Sequence, residues 1–134
     1  MTITHDESTW PTGDRVWDVC RAIARAEGAN VEGSNPDRLN NPGDISDGRH
    51  TYGSEFHSGS YVTIFPDKVT GWHWLYAKVE RIKEGDSHTY LPTMSWAALA
   101  HEYAASWVPW LKEVTQCLGV NQNDAVGDYF GDGQ

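Results

Sequence analysis

The feature that most constrains this chain is a helix with a carboxylate on its apolar side. At about 100° per residue, Val16, Val19, Cys20 and Ile23 fall on one stripe. Asp14, Asp18, Arg21 and Arg25 fall on the opposite one. Glu27 lands on the apolar stripe, a turn past Ile23, and Gly28 follows in the position that usually takes a left-handed backbone. A carboxylate there loses hydration and meets the negative end of the helix dipole. Both effects favour its protonated form, and an acid kept protonated near neutral pH can serve as a general acid. The alternative is that Glu27 turns out of a frayed helix end into solvent.

The rest of the chain reads as one domain. Its 134 residues suffice for a single core. Residues 1–11 are mostly polar and aperiodic, so a flexible tail is expected there, followed by one domain over residues 12–134. Thr12 or Asp14 caps the first helix. Residues 28–44 form a long loop rich in Gly, Asn, Pro and Asp. In it Pro42 fixes φ, Gly43 allows positive φ, and Asn40 and Asn41 either brace the turn or offer amides to a ligand. Gly43–Ser46 and Ser60–Phe65 are expected to pair as a hairpin, the second being β-branched and aromatic. The polar connection between them, residues 47–59, is expected to be a flexible flap. Its histidines, His50 and His57, match no standard metal spacing even with Asp47.

Asp67 is a plausible N-cap for the next helix, with Val69, Trp72, Tyr76 and Val79 as its core face. Gly71 inside it implies close packing, for example against the Glu27 helix. Ser95 caps Trp96–Ala105, and a last long helix starts near Ser106 with Trp110, Leu111, Val114, Cys117 and Leu118 buried and Gly119 ending it. Asn123–Phe130 can add a short helix.

Composition narrows the function classes. The net charge of −9 excludes the basic footprint that nucleic acid needs. No basic amphipathic helix points to a membrane surface, and no segment is long enough to span one. Met1–Glu7 shows no charged start with an apolar run, so no leader is expected and synthesis in the cytoplasm is. Cys20 and Cys117 lie on helix faces and are expected to be reduced; without a Cys-x-x-Cys pair, neither a metal nor a cofactor is called for. Seven tryptophans are many for this length. Such rings build cores and also the walls of sugar-binding clefts. Tyr61 and Trp74 are the candidates for such a wall, Trp74 with packing as its alternative.

Three segments carry a resemblance: Ala22-Ile23-Ala24-Arg25-Ala26-Glu27-Gly28, Leu39-Asn40-Asn41-Pro42-Gly43-Asp44-Ile45, and Val62-Thr63-Ile64-Phe65 leading to Thr70-Gly71-Trp72. In this order they resemble small lysozyme-like proteins of the lytic transglycosylase type from bacteria and phages. The Gly-Leu-Met-Gln-type segment of longer members is missing. The resemblance implies an α+β, mainly α-helical, lysozyme-like domain with a small β-hairpin beside the cleft. It implies a muramidase cutting the β-1,4 bond between N-acetylmuramic acid and N-acetylglucosamine. Glu27 would be the general acid. Asp44 would hold a water in a hydrolase, as inverting glycosidases require, or would brace the loop; Asp47 and Glu55 are poorer candidates. In a transglycosylase the muramyl 6-hydroxyl attacks instead. Asn40, Asn41, Tyr61 and Trp74 are the further candidates for substrate contact, and the likeness of Glu102-Tyr103-Ala104 to a late-helix segment of that group implies that Tyr103 bonds Glu27 or the substrate, with a core role as its alternative. The partner would be peptidoglycan glycan strands, met by a monomer after release or delivery to the wall. Two rivals stay open: a non-catalytic wall-binding or virion module on the same fold, and a chitin-type glycoside hydrolase.

Overall fold

A computed structural model describes residues 3–46, 52–57 and 59–131. The architecture is α+β and mainly helical. Helix α1 spans Arg15–Glu27. Asp14 caps it, accepting from the Trp17 N–H at 2.8 Å. Gly28 closes it at φ 87°, a left-handed value that suits glycine. The apolar stripe of α1 is buried as its spacing predicts. Beyond the one-turn α2 (Asn35–Arg38) in the following loop, α1 packs against α3 (Lys68–Glu84), α5 (Trp107–Leu118) and the short α6 (Val126–Phe130), while α4 (Trp96–Tyr103) lies on α5. Trp96, Leu75, Val79 and Val114 fill the space between them. Asp67 and Ser95 cap α3 and α4, and Gly119 ends α5, as anticipated.

The sheet departs from expectation. Strands β1 (Gly53–His57) and β2 (Ser60–Ile64) pair antiparallel, with Glu55 opposite Val62. Residues 43–46, expected to be the first strand, are instead a loop, which meets β2 where the Thr63 N–H donates to the Ile45 carbonyl at 3.0 Å. The polar segment 53–57 is a strand because β2 supplies its partners, not because its residues favour one. Asp47 and His50 lie outside the described residues.

The face of α3 is also rotated. Gly71, Trp72, Leu75, Val79 and Ile82 are buried, whereas Val69 is 65% exposed. The cause is Gly71. A Cβ there would lie inside the Asn40 carbonyl oxygen, so the glycine admits the 39–43 loop against α3 and turns that side inward. Its close neighbour is this loop and not the Glu27 helix. On α5, Cys117 is exposed at the edge of the buried face; Cys20 is fully buried, and both thiols are free.

Residues 3–10, expected within a flexible tail, are tied to the body. His5 N–H donates to the Asn30 carbonyl at 2.6 Å and Glu32 N–H to the Ile3 carbonyl at 2.8 Å. After a 3-10 turn at Glu7–Thr9, the Trp10 ring packs on Trp72 with centroids 5.0 Å apart. Burial of this large ring offsets the loss of chain freedom.

Gly71→Ala should therefore destabilise the protein. Alanine favours a helix by about 1 kcal/mol over glycine, but the overlap with Asn40 backbone should outweigh this, for a net loss of about 2 kcal/mol. Urea unfolding of both proteins would measure it, and a gain in stability would contradict the close approach.

Candidate functional site

Glu27 stands where α1 ends, half-buried. Its Oε2 accepts from the Trp110 indole N–H at 2.8 Å. Burial pushes its carboxyl up to about 8. Asp44 adds to this, while the Trp110 N–H and the Lys78 charge pull the other way. The last carbonyls of α1 also face this end, where the helix dipole is negative. The solvent-turned alternative for Glu27 is thus not the observed one.

Lys78 was not anticipated from the sequence. It reaches from α3 over two rings, 4.5 Å from the Tyr103 centroid and 5.2 Å from that of Tyr90. Cation–π contact of this kind offsets part of the cost of burying an ammonium. Burial lowers its pKa to about 8, against the charges of Glu27 and Asp44, which raise it. Trp110 was anticipated as core, but its bond to Glu27 joins residues 83 apart in sequence and has no local signal. A signal for Lys78 did exist. On the stripe through Gly71, Leu75 and Ile82, Lys78 is the one charged residue, placed among buried neighbours like Glu27 on α1.

Asp44 is half-buried in a left-handed turn at φ 53° rather than at the start of a strand. Burial raises its pKa, and the His57 and Lys78 charges lower it. Its neighbour Gly43 is not the residue with positive φ; Asn40 and Asp44 are. Glycine is needed at 43 for room, since a Cβ would meet Leu75 Cδ1 at 2.7 Å and the Tyr103 hydroxyl at 3.1 Å. That hydroxyl donates to the Gly43 carbonyl at 2.8 Å. The Tyr103 ring stacks on Trp110 at 5.0 Å and 28°. Tyr103 therefore links the Asp44 turn to the Trp110 ring that holds Glu27, and burial keeps its hydroxyl protonated.

The remaining candidates separate. Asn41, expected on substrate, is fully buried. Its amide bonds the Ile45 carbonyl at 2.7 Å, the Thr63 carbonyl at 2.9 Å and the Ile45 N–H at 3.0 Å. It braces the loop and offers no group to a ligand. Asn40 is likewise engaged, donating to the Phe65 carbonyl at 3.2 Å and accepting from Lys68 at 3.3 Å. Trp74 takes the packing alternative: it stacks on Phe65 at 5.8 Å and meets Tyr52 edge-on. Tyr61 lies 54% exposed on β2 with its ring against Phe56. Glu55 is bound to Arg38 and His57, each at 2.9 Å, and these hold its carboxyl down to about 2, too weak a base to activate water. The structure thus brings Glu27, Asp44 and Tyr103 together and leaves Asn40, Asn41, Trp74 and Tyr61 with other roles or places.

Among the described residues no three His, Cys, Asp or Glu side chains gather as a metal site would need, and no helix is long and apolar enough to cross a membrane. No family model, curated protein or solved structure matches the chain.

The site couples stability to pH. Unfolded, Glu27 releases its proton near 4.5; folded, near 8. The folded state holds the extra proton between these values, so stability present at low pH is lost as pH rises from about 4.5 to about 8. Glu27→Gln cannot ionise and escapes this loss. At pH 8 the variant should exceed the wild type by about 1–3 kcal/mol, with the half-exposed carboxyl's screening allowed for, and the gap should nearly close at pH 4.5. Urea unfolding at the two pH values checks it. An offset that does not change with pH would contradict a buried, proton-retaining Glu27.

Proposed function

We propose that this protein is a peptidoglycan-cleaving muramidase of lysozyme-like fold, with Glu27 as general acid on the β-1,4 bond between N-acetylmuramic acid and N-acetylglucosamine. The observation that carries the reading is the Glu27 carboxyl itself. It ends a buried helix face, accepts an indole N–H, and keeps its proton to about pH 8. A module that only bound glycan would gain nothing from holding an acid in so costly a place. The resemblance of the Glu27-Gly28, Asn40-Asn41-Pro42-Gly43-Asp44 and Thr70-Gly71-Trp72 segments to lytic transglycosylases supplies the substrate class.

Chemistry follows from the arrangement. Protonated Glu27 gives its proton to the glycosidic oxygen as the bond breaks. The anion it leaves is stabilised by the Trp110 N–H and the Lys78 ammonium, so charge develops where donors already stand. Glu27 then serves as the base for the second step, taking a proton from water or from the muramyl 6-hydroxyl. Asp44 lies near the same lysine and stabilises the positive charge that develops on the oxocarbenium-like sugar ring. Peptidoglycan strands are the partner, met by a monomer brought to the wall by release or delivery.

Digestion of purified peptidoglycan, with products identified by mass spectrometry, tests this. The wild type should release muropeptides, and Glu27→Gln should lower the rate by about 10³-fold, within the range of a lost general acid. The rate should fall as pH rises through about 8, where Glu27 loses its proton. Anhydro ends would assign the transglycosylase route and reducing ends the hydrolase route. Release of no fragments by the wild type, with retained wall binding, would overturn the reading.

A further inference from the structure

The largest tryptophan assembly of the molecule is not at Glu27. A cavity of about 730 Å³ opens on the other side of the 39–43 loop, where Asn40 and Pro42 form part of its wall. This is the size of a typical small-ligand site. Trp10, Trp17 and Trp72 line it. Trp10 and Trp72 meet at 5.0 Å and 57°, and Trp17 leans on Trp72 at 6.5 Å. The docked N-terminal segment supplies Trp10, so the cavity exists because that segment is held down. Val69, exposed where a core residue was expected, stands at its edge.

The mouth is polar and fixed. Lys68 Nζ bonds the Asp37 carbonyl at 2.9 Å, its carboxylate at 3.1 Å and the Asn40 side-chain oxygen at 3.3 Å. His5 meets the same carboxylate at 3.2 Å.

The wall chemistry selects among ligands. One lysine faces three carboxylates, Asp6, Glu32 and Asp37, which disfavours phosphates and carboxylates. A quaternary ammonium needs several rings open toward one point, but Trp72 is buried beneath Trp10, so of the three tryptophans only Trp10 and Trp17 are open to a ligand. A purely apolar ligand would strip water from the Asp6, Glu32 and Asp37 carboxylates and the Lys68 ammonium that line the cavity, a cost with no return. What remains is a flat, neutral molecule with an apolar face and a hydroxylated edge. The geometry points to an accessory sugar site, in which a neutral β-linked N-acetylglucosamine unit stacks on the half-exposed Trp10 and Trp17 rings and bonds the Asp37–Lys68 mouth. The stacking chemistry is independent of Glu27; the choice of this sugar rests on the muramidase reading.

The test is nuclear magnetic resonance of the full-length Glu27→Gln protein, which cannot cut the probe, titrated with the β-1,4 tetramer of N-acetylglucosamine. The indole N–H signals of Trp10, Trp17 and Trp72 should shift and saturate. Trp10→Ala in the same background should weaken this binding about tenfold or more, as loss of a stacking anchor does, with the Trp96 and Trp107 indoles unmoved as proof of fold. The mapping itself needs no second variant. No movement at the three cavity indoles overturns the proposal. Movement with tetramethylammonium but not with the tetramer overturns it as well. Movement at Trp110 alone rejects the accessory site while leaving the muramidase reading standing. Movement at the cavity indoles alone supports the accessory site, and digestion of peptidoglycan then judges Glu27 separately.

Discussion

The buried amide of Asn41 is the constraint on which the rest depends. Two of its three hydrogen bonds hold Ile45 in the loop and the third reaches Thr63 on the strand, and each group left unpaired there would cost about 1–3 kcal/mol. Because the amide holds Ile45 and Thr63 together, the 39–45 loop lies against β2 in one register. Gly71 then lets the same loop touch α3. Together with the backbone bonds from Thr63 to Ile45 and from Phe65 to Leu39, one side chain and one missing side chain thus fix loop, strand and helix with respect to one another. Two things follow from that junction. On one side Gly43 meets the Tyr103 hydroxyl and Asp44 is turned toward Lys78. On the other, Asn40 and Pro42 wall the tryptophan cavity.

Around Glu27 the arrangement is one of competing charges. Two carboxyls share a poorly hydrated region with one lysine. With both acids ionised the region would carry excess negative charge, so one proton is held, and Glu27 holds it because burial and the helix end act on it together. Lys78 keeps the ionised form within reach. Without a nearby cation, the conjugate base of so poorly hydrated an acid would be harder to form. Its place over Tyr103 and Tyr90 explains how it stays buried with no carboxylate in direct contact among its described partners.

What could be read from the sequence was what local signals encode. Asp14 before α1, Gly28 after it, Asp67 and Ser95 at the starts of α3 and α4, and the β-branched run at 61–65 all act within a turn or a strand. Glu27 was legible because a single stripe set it apart from its neighbours. The polar strand 53–57 was not, since its state is imposed by β2. Lys78 does not stand out from the sequence, because a stripe through Val69 and Tyr76 is as plausible a core face for α3, and only the loop packed on Gly71 decides for the stripe through Leu75 and Ile82. Asn41 has the composition of a turn residue, and nothing near it in sequence distinguishes an amide facing solvent from one facing Thr63, 22 residues away. The order of residues 3–10 rests on contacts with Asn30 and Trp72, equally beyond local reach.

The acidity of the chain bears on how two such sites would work together. A net charge of −9 gives no attraction toward an anionic wall and at low salt opposes approach. Encounter with that polymer is then not helped by electrostatic steering, and residence must come from short-range contact. Stacking of neutral sugars on indole is such a contact, since it owes little to charge and is only weakly screened by salt. A weak site of this kind, held a fixed distance from Glu27 by the Asn41 junction, would raise the local concentration of glycan at the acid without slowing release of the cut strand. On this view the docked N-terminal segment acts in function rather than in the core: it completes the tryptophan wall, and the rigid loop sets its spacing from the reacting carboxyl.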